Sequence, residues 1–368
     1  MQLTAVELAD FRNIESALLQ PHPRFNVLSG DNGQGKTNFL EAVYLLGTLR
    51  PLRAGRLTEL VRFGAESART SARVVRAKLE RRYDVEVWGT PPRKQARVDG
   101  KAVRTAADYF GGFNVVLFAP DDLRLPRGAP SQRRRFLDRA VWNLESGYLD
   151  DARAYERVLK SRNALLREPS RPAHFDDLLE VYDEQLSTAG ASLSARRGHY
   201  LRTLAPGLQE AYERITHAGV TVEARYQPSV PLPEGAEAAP TLRAALAASR
   251  ARDRAVGYTS LGPHADDIDL RLDGRAAGLY ASQGQLRALV LSLKVAEITH
   301  LGATLGAAPI LLLDDVSSEL DPAKNRFLFE FLAEVGGQVF ITTTDPAHVL
   351  LGAERQDYRV SGGRIAPA

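Results

Sequence analysis

The chain has 368 residues, 44% hydrophobic and 25% charged, a composition that suits a globular protein of two or three domains with ample material for a buried core. It contains no Cys, which excludes disulfides, thiolate metal sites and Cys nucleophiles, and no run of eighteen apolar residues, so no membrane span and no membrane partner are expected. The net charge of +3 argues only weakly for an anionic partner, and a start without a basic leader gives a cytoplasmic expectation.

Residues 1–28 read as short strands around a turn at Phe11-Arg12-Asn13. Phe25 to Leu28 forms an apolar strand, and Gly30-Asp31-Asn32-Gly33-Gln34-Gly35-Lys36-Thr37 follows it, matching G-x-x-x-x-G-K-[ST] at every fixed position. Phe39, Leu40, Val43 and Leu46 then recur at helical spacing. Strand, glycine loop and helix in this order aim backbone N–H groups at phosphate oxygens. Lys36 is expected to reach the β and γ phosphates, and the Thr37 hydroxyl to hold Mg²⁺.

A basic segment spans Arg50 to Arg56, and from Ala72 to Val103 the pattern turns to strands, with Tyr83, Val85 and Val87 alternating with Asp84 and Glu86. Asp99-Gly100 predicts a hairpin turn. Asn114 to Phe118 is an apolar strand. Beyond it, Phe136–Leu144, Tyr148–Leu166, Phe175–Tyr200 and Leu201–Ile215 carry apolar residues at helical spacing, and Gln227 to Pro240 reads as an exposed linker.

Strands return at Asp267 to Leu272, and Ser282-Gln283-Gly284-Gln285 opens a helix whose free N–H groups offer a second phosphate-binding surface. Ile310 to Leu313 ends in Asp314-Asp315. An apolar strand ending in Asp is what a phosphate loop needs beside it, so Asp314 is expected on Mg²⁺ and Asp315 to take a proton from an attacking water. Lys36 and Asp314 lie 278 residues apart (314 − 36), too far for one compact nucleotide domain, so a segment is inserted between its halves. The expected division is 1–118 and 251–368 for the halves of an ATPase lobe and 119–250 for a mainly helical arm.

With Ser318-Glu319-Leu320-Asp321 and Ile341-Thr342-Thr343 following, the chain resembles an ATPase of the ATP-binding-cassette (ABC) superfamily. Within it the chain is similar to the RecF family, relatives of the SMC and Rad50 ATPases, on Phe11-Arg12-Asn13, Leu117 to Leu123, Gly262 to Asp267 and Leu311 to Asp321. That resemblance implies an α/β P-loop NTPase of ABC type, with a mixed sheet, an antiparallel side sheet and an inserted helical arm. It implies ATP and Mg²⁺ as cofactors, with Ser282, Gly284, Gln285 and Asp321 among the nucleotide-binding residues, and an ATP-dependent homodimer in which Ser282 of one protomer meets the other's γ-phosphate. Further implications are single- and double-stranded DNA at gap junctions as substrate, work with RecR and RecO in placing RecA, and a weak ATPase. Asp315 stands where transporter-type cassettes carry Glu, and Thr343 or a neighbour where they carry His, which implies slow hydrolysis. No clear Gln follows Phe118, and Asp121 or Asp122 is the expected substitute.

Residues 69–104 hold eleven Lys or Arg against four Asp or Glu. Arg124, Arg127, Arg133, Arg134, Arg135 and Arg139 form a second cluster, opposed only by Asp138, with Arg133, Arg134, Arg135 and Arg139 the candidate DNA contacts. Such a cluster is by default a solvated helix face; beside a closing ATPase it is expected to grip DNA phosphates. His264 is left open between a structural and a functional role. The competing readings are another SMC/Rad50-like ABC ATPase, a P-loop kinase or transporter motor, and a scaffold that binds nucleotide without turnover.

Overall fold

In a computed structural model, residues 1–52, 56–103, 105, 108–110, 112–170, 174–352 and 354–368 are described; Arg53, Gly55 and Arg104 of the basic segments lie outside them. In chain order the elements are β1 (Gln2–Phe11), β2 (Ile14–Leu19), β3 (Phe25–Ser29), α1 (Lys36–Thr48), β4 (Ser67–Arg76), β5 (Leu79–Trp88), β6 (Arg93–Val98), β7 (Lys101–Ala102) and β8 (Val115–Phe118). There follow α2 (Pro130–Leu144), α3 (Ser146–Arg167), α4 (Phe175–Thr216), β9 (Val222–Gln227), α5 (Ala238–Val256), β10 (Asp267–Leu272), β11 (Arg275–Ala276), α6 (Ala277–Tyr280) and α7 (Gln283–Leu305). The last are β12 (Ile310–Asp314), α8 (Pro322–Val335), β13 (Val339–Thr343), β14 (Arg355–Ser361) and β15 (Arg364–Pro367). They divide into two compact units, Met1–Leu123 with Arg287–Ala368, and Arg124–Leu286.

In the first unit one sheet runs β15-β14-β3-β13-β12-β8, parallel throughout β14 to β8, and its inner strands are buried on both faces, as a covered parallel sheet requires. A second, antiparallel sheet runs β2-β1-β4-β5-β6-β7. Tyr83, Val85 and Val87 point into its core while Asp84 and Glu86 stay partly exposed, so the alternation seen in sequence is the one observed. Asp99 and Gly100 turn at φ 51° and 76°, joining β6 to β7. Helix α1 lies between the sheets, touching β1, β4 and β5 on one side and β8, β12 and β13 on the other. That is why it is apolar nearly all round.

The second unit packs α3 on α4, α4 on α5, and α4 against β9 of the small antiparallel sheet β11-β10-β9. Three expectations are corrected. The insertion ends at Leu286 rather than 250, because β10 pairs with β9 inside this unit and not with the parallel sheet. The segment 227–240 is no linker throughout: α5 starts at Ala238 and carries Pro240 in its first turn, where the missing N–H costs no helical hydrogen bond. The two helices expected over 175–215 are one helix of 42 residues, with Pro206 inside it.

Helix α7 is long and apolar enough by composition to cross a membrane, but 67% of that window is buried inside the protein, as in a core helix. Its Leu291, Val295 and Ile298 face Val116 and Leu312 of the parallel sheet.

Candidate phosphate-binding site

Strand β3 delivers the glycine loop to the end of the parallel sheet, and β12 delivers Asp314 to the same edge with only β13 between them. At Gly30 the backbone sits at φ 156°, and a Cβ there would lie 2.3 Å from the Val360 carbonyl oxygen, so only glycine fits. Lys36 opens α1, and its buried ammonium donates to the carbonyls of Gly30 at 2.6 Å and Asp31 at 2.9 Å. Asp31, Asn32 and Gly33 are exposed, and Gly35 forms the left-handed N-cap of α1. Thr37 Oγ1 donates to Asp314 Oδ1 at 2.7 Å across 277 residues of chain, and Thr342 Oγ1 donates to the same oxygen at 2.8 Å.

Asp315 leaves the strand at φ 50°, a left-handed conformation that costs a non-glycine residue energy. Its N–H donates to the Thr342 carbonyl at 3.1 Å, while its buried Oδ1 has no hydrogen-bond partner. Burial, aided by the charges of Asp314 and Glu319, holds its carboxyl above the ordinary value against the opposing pull of Ser318 and Lys36. Asp315 is thus a partly buried carboxylate with one unpaired oxygen, in the field of Lys36.

The Thr37 and Asp314 oxygens form a hard donor pair. Among the described residues no cluster of three His, Asp or Glu side chains forms a metal cage. This donor set fits Mg²⁺, a cation bound by one or two protein oxygens together with substrate phosphates.

Sequence reasoning missed how Phe11-Arg12-Asn13 serves the loop. Phe11 is fully buried, Arg12 pairs with the fully buried Glu41 of α1 at 2.9 Å, and Asn13 Nδ2 donates to the Gln34 carbonyl at 3.1 Å. A charged residue inside an apolar helix, Glu41, was the signal available.

The other expected residues divide. Ser282 and Gln285 cap α7 reciprocally: Gln285 Oε1 accepts from Ser282 N–H at 2.9 Å, and Ser282 Oγ accepts from Gln285 N–H at 3.2 Å. Both, with Gly284, are exposed and belong to the second unit. Asp321 caps α8 by accepting from Lys324 N–H at 3.0 Å, and its side-chain bond with Lys324 lowers its pKa. Asp122 is buried against its own turn, accepting from Ala119 N–H at 3.0 Å, while Asp121 is exposed. Thr343 Oγ1 donates to the Asp345 carbonyl at 2.9 Å.

The arginine cluster is corrected in part. Arg133 grips Asp267 with two parallel bonds of 2.6 and 2.7 Å and donates to the Gly128 carbonyl at 2.7 Å, and Arg134 donates to the Asp266 carbonyl at 2.7 Å. Arg139 is half-buried, and Arg135 is exposed. A guanidinium already forked onto a carboxylate has few donors left for a phosphate.

His264 belongs to the same polar knot. Its Nε2 lies 2.9 Å from the Thr259 carbonyl, which can only accept, so Nε2 carries the proton and Nδ1 accepts from Tyr155 Oη at 2.7 Å. The ring is thereby structural.

A glycine loop between a buried parallel strand and a helix, a second strand's carboxylate on the loop's Thr, and an antiparallel side sheet define a P-loop NTPase of ABC type. The profile described as RecF/RecN/SMC N terminal domain matches residues 2–361, and the chain belongs to the RecF family. A protein of Myxococcus xanthus named DNA replication and repair protein RecF is 47% identical over 376 residues, spanning 100% of this chain and 97% of its own length. One of the same name from Geobacter sulfurreducens is 41% identical over 371 residues, spanning 100% of both chains. A solved structure of the recombination mediator protein RecF-ATP in the RecFOR pathway superposes with a TM-score of 0.89 at 30% identity, covering 100% of this chain and 97% of that one. The Smc head domain of Pyrococcus furiosus, at 15% identity and a TM-score of 0.55 over 100% of this chain and 96% of its own, shares the fold.

Proposed function

We propose that this chain is an ATP-hydrolysing DNA clamp or loader of recombinational repair, which closes as an ATP-dependent homodimer on single- and double-stranded DNA at gap junctions and works with RecR and RecO in placing RecA. The observation that carries the nucleotide part is the 2.7 Å bond between Thr37 and Asp314, with the unpaired Asp315 oxygen one residue on. The DNA part is supported by the relatives' names and by membership of the family.

In this reading the N–H groups from Gly30 to Thr37 cradle ATP, and Lys36 trades its carbonyl contacts for the β and γ phosphates. Thr37 and Asp314 would hold Mg²⁺, which neutralises charge on the phosphates. Asp315 accepts the proton of the attacking water, and Ser282, Gly284 and Gln285 of a second copy meet the γ-phosphate. A short carboxylate without an imidazole partner makes turnover slow.

Sedimentation with ADP and with ATP, with and without duplex DNA, tests this. Asp315→Asn should persist as an ATP-bound dimer, and Ser282→Arg should bind ATP yet stay monomeric. ATP-driven dimers of Ser282→Arg, or monomeric Asp315→Asn under conditions that dimerise the parent, would replace this reading with a P-loop enzyme that works alone.

A further inference from the structure

We infer that the C-terminal hairpin β14–β15 is a positioning clamp on the phosphate loop, acting through the backbone of Gly362 and Gly363 and the side chains of Gln34 and Asn13. The inference rests on the nucleotide-binding reading above. Strand β14 lies parallel to β3, with Tyr358 opposite Leu28 and Arg359 opposite Ser29, so its turn emerges beside the loop that β3 feeds. There Gly362 N–H donates to Gln34 Oε1 at 2.6 Å and Gly363 N–H donates to the Gln34 carbonyl at 2.9 Å. The same carbonyl accepts from Asn13 Nδ2 at 3.1 Å, and the Gly33 carbonyl lies 3.5 Å from that nitrogen. Asn13 is itself fixed, because its Oδ1 accepts from Asn38 Nδ2 of α1 at 2.8 Å.

The geometry matters because a trans peptide is planar, with its C=O and the next N–H pointing in opposite directions. Donors that hold the Gly33 and Gln34 carbonyls outward therefore hold the N–H groups of Gln34 and Gly35 inward, where a phosphate-binding loop needs them. Without those outside donors the two peptide planes are free to rotate, and binding has to arrest them. The fit leaves no slack: at Gly363, φ is 78° and an added Cβ would lie 2.1 Å from the Asn13 carbonyl oxygen.

Hydrogen exchange and ATP titration on the full chain decide the matter. Gln34→Met keeps the side chain's length and removes the acceptor; Gly363→Ala pushes the turn off the loop. Each should weaken ATP binding about ten-fold, the order expected for one lost hydrogen bond to a group whose orientation matters, with the melting temperature of the nucleotide-free protein unchanged for Gln34→Met. Exchange at Gly362 should quicken in Gln34→Met and return to the parent's rate in Gln34→Glu, which restores an acceptor. By reciprocity of coupling, ATP should slow exchange at Gly362 and Gly363 in the parent. Parent-like ATP affinity in Gln34→Met, or affinity lost only in step with the melting temperature, overturns the clamp. Failure of the parent to bind ATP would instead remove the nucleotide reading, and the clamp would then stand or fall on whether Gln34→Met speeds exchange at the Gln34 and Gly35 amides.

Discussion

At the end of the parallel sheet Asp315 keeps a buried oxygen without a partner and Lys36 rests on backbone carbonyls, whereas in the arm the fully buried Arg162 meets Asp183 and Asp253, each at 2.8 Å, and Thr259 Oγ1 at 2.9 Å. Arg250 reaches the other oxygen of Asp183 at 2.7 Å, and Ser249 and Ser260 donate to Asp253. The first region leaves charge available to a ligand; the second uses charge to tie α3, α4 and α5 together. Aspartates thus carry opposite meanings in the two regions: both oxygens of Asp183 and of Asp253 are met by donors from the protein, whereas one oxygen of Asp315 is not, even though Arg162 Nη2 also stays unpaired.

Replacing the hub of the arm gives the largest expected effect. Arg162→Met leaves Asp183 and Asp253 buried without their shared cation, and removing one partner of a buried ion pair destabilises by about 3–5 kcal/mol. Denaturant unfolding should show that loss. A loss under about 1 kcal/mol would mean that Arg250 and the serines satisfy the two carboxylates by themselves, and the contrast between the regions would weaken.

That contrast also explains what the sequence made legible. The glycine loop, Asp314-Asp315 and the parallel strands were readable because each is a local pattern tied to a fixed chemistry: a run of apolar residues, a turn that only glycine makes, a carboxylate at a strand end. The pairing of Arg133 with Asp267 was not, since it joins residues 134 apart and nothing local distinguishes a forked arginine from a solvated one. Gly262 to Asp267 was recognisable as a motif but not as the polar knot it forms with Tyr155, Arg134 and Arg197. The clasp of Gly362 on Gln34 spans 328 residues and leaves no trace in spacing. Helix α5 was hidden by a Pro in its first turn, a position where Pro is compatible with helix.

Two neighbouring arginines sharpen the comparison at intermediate size. Arg133→Ala removes a forked pair from a partly buried aspartate and should lower stability by about 1.5–3 kcal/mol while leaving the salt dependence of DNA binding unchanged. Arg135→Ala, on an exposed side chain, should leave unfolding unchanged and flatten that salt dependence by about 0.9 in slope, the effect of one phosphate contact. Equal slope changes in the two variants would mean that Arg133 serves DNA as well as the fold. No change in either would return the whole helix face to solvent.

The smallest effect is the pH response of the arm. Burial lowers the pKa of His264 below the ordinary 6.5, with Arg134 adding to the shift and the Thr259 carbonyl, Asp266 and Asp253 opposing it. The unfolded chain takes up a proton near 6.5 that the folded ring, donating from Nε2 and accepting at Nδ1, refuses. A depressed folded pKa contributes stability above the unfolded value, and that contribution fades as pH falls through the folded one. Each unit of separation is worth about 1.4 kcal/mol at most, so the response is modest. Urea midpoints at about pH 8 and about pH 5 should therefore differ more for the parent than for His264→Gln, which has no titrating ring. Carboxylates elsewhere titrate alike in both proteins and drop out of the difference. If the two proteins lose stability equally on acidification, the proton on His264 is not excluded by its surroundings, and the knot around Gly262 to Asp267 is more open to solvent than its hydrogen bonds require.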